Sequence, residues 1–218
     1  MMPPETSPAP GSRRTLLADA ALGVLADAGM RGLTHRAVDA AAGLPPGTTS
    51  AYFRTRSALL TALVRRLVEL DQAELRTAAE QTPVLRTEAE LVRGLAALVA
   101  ARTGGEGRRR SLARYACVLE SVRDPELRDI LVPRENPGRQ AVRDFLAARG
   151  VADPEARTLT LLACVDGLVL DRVVAGEGTT DGRPGTRNAT DTWDPRGTSD
   201  TRDTREEIEG LVAAALRP

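Results

Sequence analysis

Apolar positions recur along this chain at spacings of three and four residues, interrupted by Gly and Pro, a pattern that predicts helices throughout. Leu17, Ala21 and Leu25 form one row and Ala20, Val24 and Ala28 the next, so a first helix is expected from Ser12, its N-cap, to Ala28, with Gly29 ending it. Leu59, Leu63 and Leu67, beside Leu60, Val64 and Val68, predict a longer helix that starts after Thr55 and runs to about Ala79, with Pro83 as its stop. Leu91, Leu95 and Leu98 face inward in a helix over about 88–101, and Leu112, Ala116 and Leu119 in one over 111–122. Gly104, Gly105 and Gly107 break the chain between these two, and Arg108, Arg109 and Arg110 read as a solvated helix start. Pro125 opens a short helix ending near Val132. Asn136 and Pro137 open another that ends at Gly150, with Val142, Phe145 and Leu146 as its core face. Asp153 and Pro154 cap a helix that is apolar nearly all round from Leu159 to Val174, which predicts burial on more than one side. The final helix is expected to open with a capping box, Thr204 with Glu207, and carries the stripe Ile208, Leu211, Val212 and Ala215.

Residues 31–63, RGLTHRAVDAAAGLPPGTTSAYFRTRSALLTAL, read differently. Thr34 can cap a short helix whose apolar positions are Ala37, Val38, Ala41 and Ala42, and Gly43 can end it. Leu44 is placed to plug the angle to a second short helix, expected from Pro46 to Tyr52. That helix offers Gly47, Thr48, Ser50 and Tyr52, and Arg54 and Arg56 follow it. Small residues let a backbone approach base edges, and hydroxyls and arginines bind phosphate oxygens. Between residues 31 and 56 four arginines stand against one acid, Asp39, although the whole chain balances thirty basic residues against thirty acidic. A local positive patch on a neutral protein suits a nucleic-acid-binding head. The expected contacts to DNA are Thr34, His35, Arg36, Pro46, Gly47, Thr48, Ser50, Tyr52, Arg54 and Arg56.

The run Gly32-Leu33-Thr34, Val38, Ala41-Ala42-Gly43-Leu44, Gly47-Thr48, Tyr52-Phe53, Arg56 and Ala58-Leu59-Leu60 resembles the tetracycline-repressor (TetR) family of bacterial transcription regulators. The motif covers about fifty residues, from near Arg13 to the start of the long helix after Thr55. Four positions depart from the family pattern, one of them Arg56, which keeps the charge of the usual lysine. Pro45 stands where a capping serine is usual, Thr49 where an aliphatic residue is usual, and Ser50 where a tyrosine is usual. The resemblance implies an all-α fold with a helix-turn-helix domain over 12–57 and a helical ligand-binding and dimerisation domain over 58–218. It implies a homodimer on a palindromic double-stranded DNA operator, acting as a repressor released by a small-molecule effector. The last two long helices would pair with their copies, so the dimer interface is expected at Leu162, Val165, Val169, Val173, Ile208, Leu211, Val212 and Ala215. The effector pocket is expected among Leu63, Leu67, Leu95, Leu98, Tyr115, Leu119, Phe145 and Leu162, an aliphatic lining suited to an apolar molecule.

Composition narrows the alternatives. Apolar residues are 42% of the chain and aromatics only 2%, so the core is built of Leu, Val and Ala. No apolar run is long enough to span a membrane, and the N-terminus lacks the pattern of a secretory signal, so a cytoplasmic protein is expected. Residues 1–11 read as a disordered tail and 176–203, rich in Gly, Thr, Asp and Arg and holding Trp193, as a flexible loop. Cys117 and Cys164 read as small helix residues in a reducing compartment. There is no phosphate-cradling glycine loop, no Cys or His cluster with metal-ligand spacing, and one histidine, His35, on the expected DNA face. Neither an enzyme, a cofactor nor a metal is expected. The competing reading is a ligand-binding helical body without useful DNA affinity, and the basic, hydroxyl-rich head argues against it.

Overall fold

The computed structural model describes residues 10–81, 84–131, 136–175 and 201–217. Trp193 and most of the expected tail and loop lie outside them, while residues 10 and 11 of the expected tail are helical. Ten helices run through the described residues: α1 Pro10–Gly32, α2 His35–Ala41, α3 Thr48–Tyr52, α4 Arg56–Gln81, α5 Glu88–Thr103, α6 Gly105–Ser121, α7 Pro125–Leu131, α8 Pro137–Ala147, α9 Pro154–Ala175 and α10 Thr201–Ala215. The fold is all-α, as its sequence pattern predicts.

Two compact units share these helices. Unit 1 holds α1 to α4 together with residues 109–136, which carry most of α6 and all of α7. The 12–57 head is thus part of a larger packing unit. Its core joins Leu17, Leu25, Leu33 and Val38 to Leu59, Leu63, Leu67, Cys117 and Leu127, all buried. Charged clips tie the same helices: Arg66 of α4 to Asp19 of α1 at 2.7 Å, Arg109 of α6 to Asp27 of α1 at 2.6 Å, and Arg110 and Arg114 of α6 to Glu74 and Asp71 of α4. Two members of the arginine triplet, expected to be solvated, are therefore paired. Its first, Arg108, donates to the Val173 carbonyl of α9 at 2.9 Å in the second unit.

Unit 2 comprises residues 82–108 and 137–218, in which α9 packs on α5, α8 and α10, and α10 also on α5. Thr87 and Glu90 close a capping box at the start of α5. At the start of α9 the Asp153 carboxylate accepts from the Ala156 N–H at 3.1 Å, with Asp153 itself at φ 49°. Between α5 and α6 the glycines do not break the chain for long, since only Gly104 separates the two helices. Gly105 takes φ 47°, and a Cβ on Gly107 would lie 1.6 Å from the Ala101 carbonyl oxygen, so only glycine lets the chain fold back this tightly.

Several helix ends differ from expectation. α1 starts at Pro10, which leaves Ser12 inside the helix rather than at its cap, while Gly29, at φ 64°, interrupts it where expected. α10 starts at Thr201, so Thr204 lies within the helix. Glu207 is drawn not to a cap but to Arg172 of α9, at 2.5 Å. α6 is rotated relative to its predicted face: Ser111, Ala113, Cys117 and Ser121 are buried, whereas Leu119 is 70% exposed. Burial pushes the Cys117 thiol up to about 12, and Cys164 is exposed on α9.

Candidate nucleic-acid interface

The head is built from short helices that cannot hold themselves together. An isolated helix of five or seven residues is unstable in water, so α2 and α3 depend on caps and packing. Thr34 takes the extended cap geometry and its hydroxyl accepts from the Ala37 N–H at 3.1 Å. Gly43, at φ 65°, turns the chain, and the Leu44 N–H returns to the Asp39 carbonyl at 2.9 Å. Leu44 is half-buried against the core of unit 1, the plug its position predicts. Pro46 lies ahead of α3, not in its first turn, because the chain is still turning there; Gly47 at φ 91° is the N-cap.

The missing capping serine is replaced from a distance. The Asp39 side chain, 2% exposed on α2, reaches across the turn to α3. Its Oδ2 accepts from the Gly47 N–H at 2.7 Å. Its Oδ1 accepts from the Thr49 N–H at 2.7 Å and from the Thr49 hydroxyl at 2.5 Å. Burial works against this charge, but the Thr49 hydroxyl, the Thr49 and Gly47 N–H groups and the nearby His35 outweigh it and hold the carboxyl below its ordinary value. Thr49 is fully buried. Sequence reasoning counted Asp39 only as a charge and Thr49 only as a departure from pattern. The readable signal was their combination, an acid on the apolar side of one helix and a hydroxyl at an aliphatic position of the next.

The expected contact residues divide into two groups. Arg36, Ser50 and Arg54 are exposed, and Thr48 and Tyr52 are half-buried. Thr48 donates its hydroxyl to the Pro45 carbonyl at 2.7 Å. Arg14 lies over the Tyr52 and Phe53 rings, 5.7 and 5.4 Å from their centroids. Two others also serve as internal struts. His35 Nε2 bonds the Phe53 carbonyl at 2.7 Å, closing the far end of α3. Arg56 donates to the Leu33 carbonyl at 2.8 Å and the Met30 carbonyl at 2.7 Å. With Asp39 buried, the charges exposed between residues 31 and 56 are Arg31, Arg36, Arg54 and Arg56.

The body residues sort differently from expectation. Val165, Val169, Val173, Ile208, Val212 and Ala215, expected between subunits, are buried within the protomer's own unit 2. Leu162 and Leu211 are half-buried. The opposite face of α9 is the open one, with Leu159, Ala163, Gly167, Leu170 and Val174 all exposed. Of the expected pocket lining, Leu63 and Leu67 are core of unit 1, and Leu95 and Phe145 core of unit 2. Tyr115, Leu98 and Leu162 are half-buried, and Leu119 faces outward. Among the described residues no group of three or more His, Cys, Asp or Glu is placed to hold a metal ion, and no helix is long and apolar enough to cross a membrane.

Residues 86–218 match the family described as the tetracyclin repressor-like C-terminal domain. Among solved structures, a TetR-family member from Streptomyces coelicolor A3 is similar at 28% identity and TM-score 0.60, over 91% of this chain and 97% of that one. The multidrug binding protein EbrR complexed with ethidium is similar at 28% identity and TM-score 0.58, over 91% and 98%. A transcriptional regulator from Rhodococcus sp. Rha1 shares the fold at 21% identity and TM-score 0.67, over 93% and 95%. No curated protein sequence matches.

Proposed function

The chain belongs to the tetracycline-repressor family of transcriptional regulators, and from that premise we propose that it is a homodimeric repressor which binds a palindromic operator through α2 and α3 and leaves it when a small apolar effector binds. The observation that carries the DNA-binding reading is electrostatic. The one acid between residues 31 and 56 is buried and satisfied, so that stretch offers solvent only arginine charge. Arg31, Arg36 and Arg54 are the proposed phosphate contacts, with Thr48, Ser50 and Tyr52 against base edges or backbone. Arg56 contributes charge while bracing the head.

Pairing of subunits is proposed through the outward face of α9, where Leu159, Leu170 and Val174 flank Ala163 and Gly167. Small residues at the centre let two helices approach closely. A monomer would leave this apolar stripe wet. For the effector, support comes from EbrR, whose structures hold ethidium, proflavin and malachite green. These aromatic dyes are suitable first probes.

The test is selection of binding sites from a random DNA pool, followed by salt titration. Six arginines from two heads predict a log–log salt slope of about −5. A pool that yields no enriched site, or affinity indifferent to salt, overturns the reading. A thermal-shift series with the three dyes tests the effector, because a ligand of the native state raises the melting temperature.

A further inference from the structure

We propose that Asp39 is a positioning residue for operator recognition: its carboxylate sets where α3 begins and how it is aimed, and Thr49 is its partner in that task. The inference rests on the DNA-binding reading above and extends it to a residue that would touch no DNA. A five-residue helix has no stability of its own, so its pose is whatever its ends are tied to. One end of α3 is tied to His35 through the Phe53 carbonyl. The other is tied to Asp39 through the Gly47 N–H, the Thr49 N–H and the Thr49 hydroxyl, all within 2.7 Å. Both ties come from α2, so α2 dictates the attitude of the reading helix from both ends.

The chemistry of the pair is self-consistent. A buried carboxylate is costly unless its lone pairs are filled, and a carboxylate that accepts several N–H and O–H bonds is charge-assisted and stiff. The Thr49 hydroxyl meets the same requirement from the other side, since a buried hydroxyl also needs a partner. Each of the two residues would be a fault in an apolar contact on its own. Together they form a bond that fixes both translation and rotation of α3, which an aliphatic contact would leave free to slide. Pro45 at the usual cap position fits this arrangement, because the cap is supplied from α2.

The charge of Asp39 gives the experiment its leverage. An acid near phosphates repels DNA, so deleting it should strengthen binding to every sequence if charge were its only effect. A positioning role predicts the opposite for the operator. The site selected by the wild-type chain and a scrambled duplex are titrated with Asp39→Asn, Asp39→Ala and Thr49→Val at several salt concentrations. Expected is a loss of operator affinity of tenfold or more for Asp39→Ala and a smaller loss for the other two. Scrambled-duplex affinity should hold or rise, and the salt slope should stay that of the wild type, since no phosphate contact is removed. Thr49→Ser, which keeps the hydroxyl, should restore the wild-type ratio. Should Asp39→Ala fail to fold, Asp39→Asn and Thr49→Val carry the test. Equal operator-to-scrambled ratios in the wild type and in these two folded variants overturn the inference and leave the DNA-binding reading standing. A wild-type chain that selects no site overturns both.

Discussion

The two faces of α9 make opposite predictions for the same kind of substitution. Val169 is 1% exposed and lies in the core of unit 2, whereas Val174, five residues further along and on the other face, is 74% exposed. Val169→Ala removes two methyl groups from that core. At about 0.8 kcal/mol each, with a cavity cost added, the loss is about 2–3 kcal/mol. Val169→Asp is worse, since it places an unpaired charge there and costs a further ~3–5 kcal/mol. Against a total of about 5–15 kcal/mol for a domain, this consumes most of the fold. Val174→Asp buries nothing within the protomer, so the protomer's own fold should change by less than about 0.5 kcal/mol. It should instead weaken the proposed subunit contact. The measurements are circular-dichroism melts, read with sedimentation to follow mass. Expected are a collapsed melt for Val169→Asp and, for Val174→Asp together with Leu170→Glu, a folded monomer without operator affinity. A folded monomer from Val169→Asp, or a dimer persisting in the double variant, would show that the faces have been assigned the wrong way round.

Other substitutions test the remaining geometry. Arg56→Ala should lower head stability by about 1–3 kcal/mol, because two carbonyls lose a charged donor; a melt unchanged within error would refute the strut. Gly107→Ala should cost about 1–3 kcal/mol or more, its Cβ having no room beside Ala101, and a stabilised variant would mean that the turn has slack. Asp39 is held below its ordinary value in the fold, so its contribution is complete above about pH 4 and drains away as acid protonates it in the folded state. Asp39→Asn should therefore flatten the acid limb of a stability-against-pH curve, and superimposable limbs would count against the cap. A maleimide at neutral pH should react once per folded chain, at exposed Cys164, while Cys117 stays silent until denaturation; mass spectrometry reads the count.

Much of this architecture is legible in the sequence because helix ends are chemical events of short range. Thr34, Gly43, Gly29 and Asp153 act within four residues of themselves, and each sits where its cap or turn requires. Helix rotation is less legible. α9 is apolar on both sides, and no local rule says which side meets its own chain. The valine row 165, 169, 173 lies inward, leaving Leu159, Leu170 and Val174 outside. α6 fails for the same reason, since Ala113 and Cys117 pack inward in place of the bulkier Leu119. Contacts that skip along the chain are the least legible. Asp39 caps a helix ten residues away, and Glu207 leaves its expected cap for an arginine thirty-five residues back. For Glu207 a charged partner outbids a local backbone group, and for Asp39 the distant side chain is itself the charge that stands in for a local cap.

The grip of Arg56 on the Met30 and Leu33 carbonyls has a mechanical meaning. It welds the first residue of α4 to the end of α1 and the entrance of α2, at the place where a hinge would otherwise form. α4 is then a lever with α3 mounted beside its tip. Its 26 residues, at about 1.5 Å each, make a rod of about 39 Å. A tilt of about 5° about the far end moves the tip by about 3.4 Å, the spacing of one base pair along a strand. On the proposed DNA-binding mode, a tilt of a few degrees in α4 would thus be a full step of misregister at the groove.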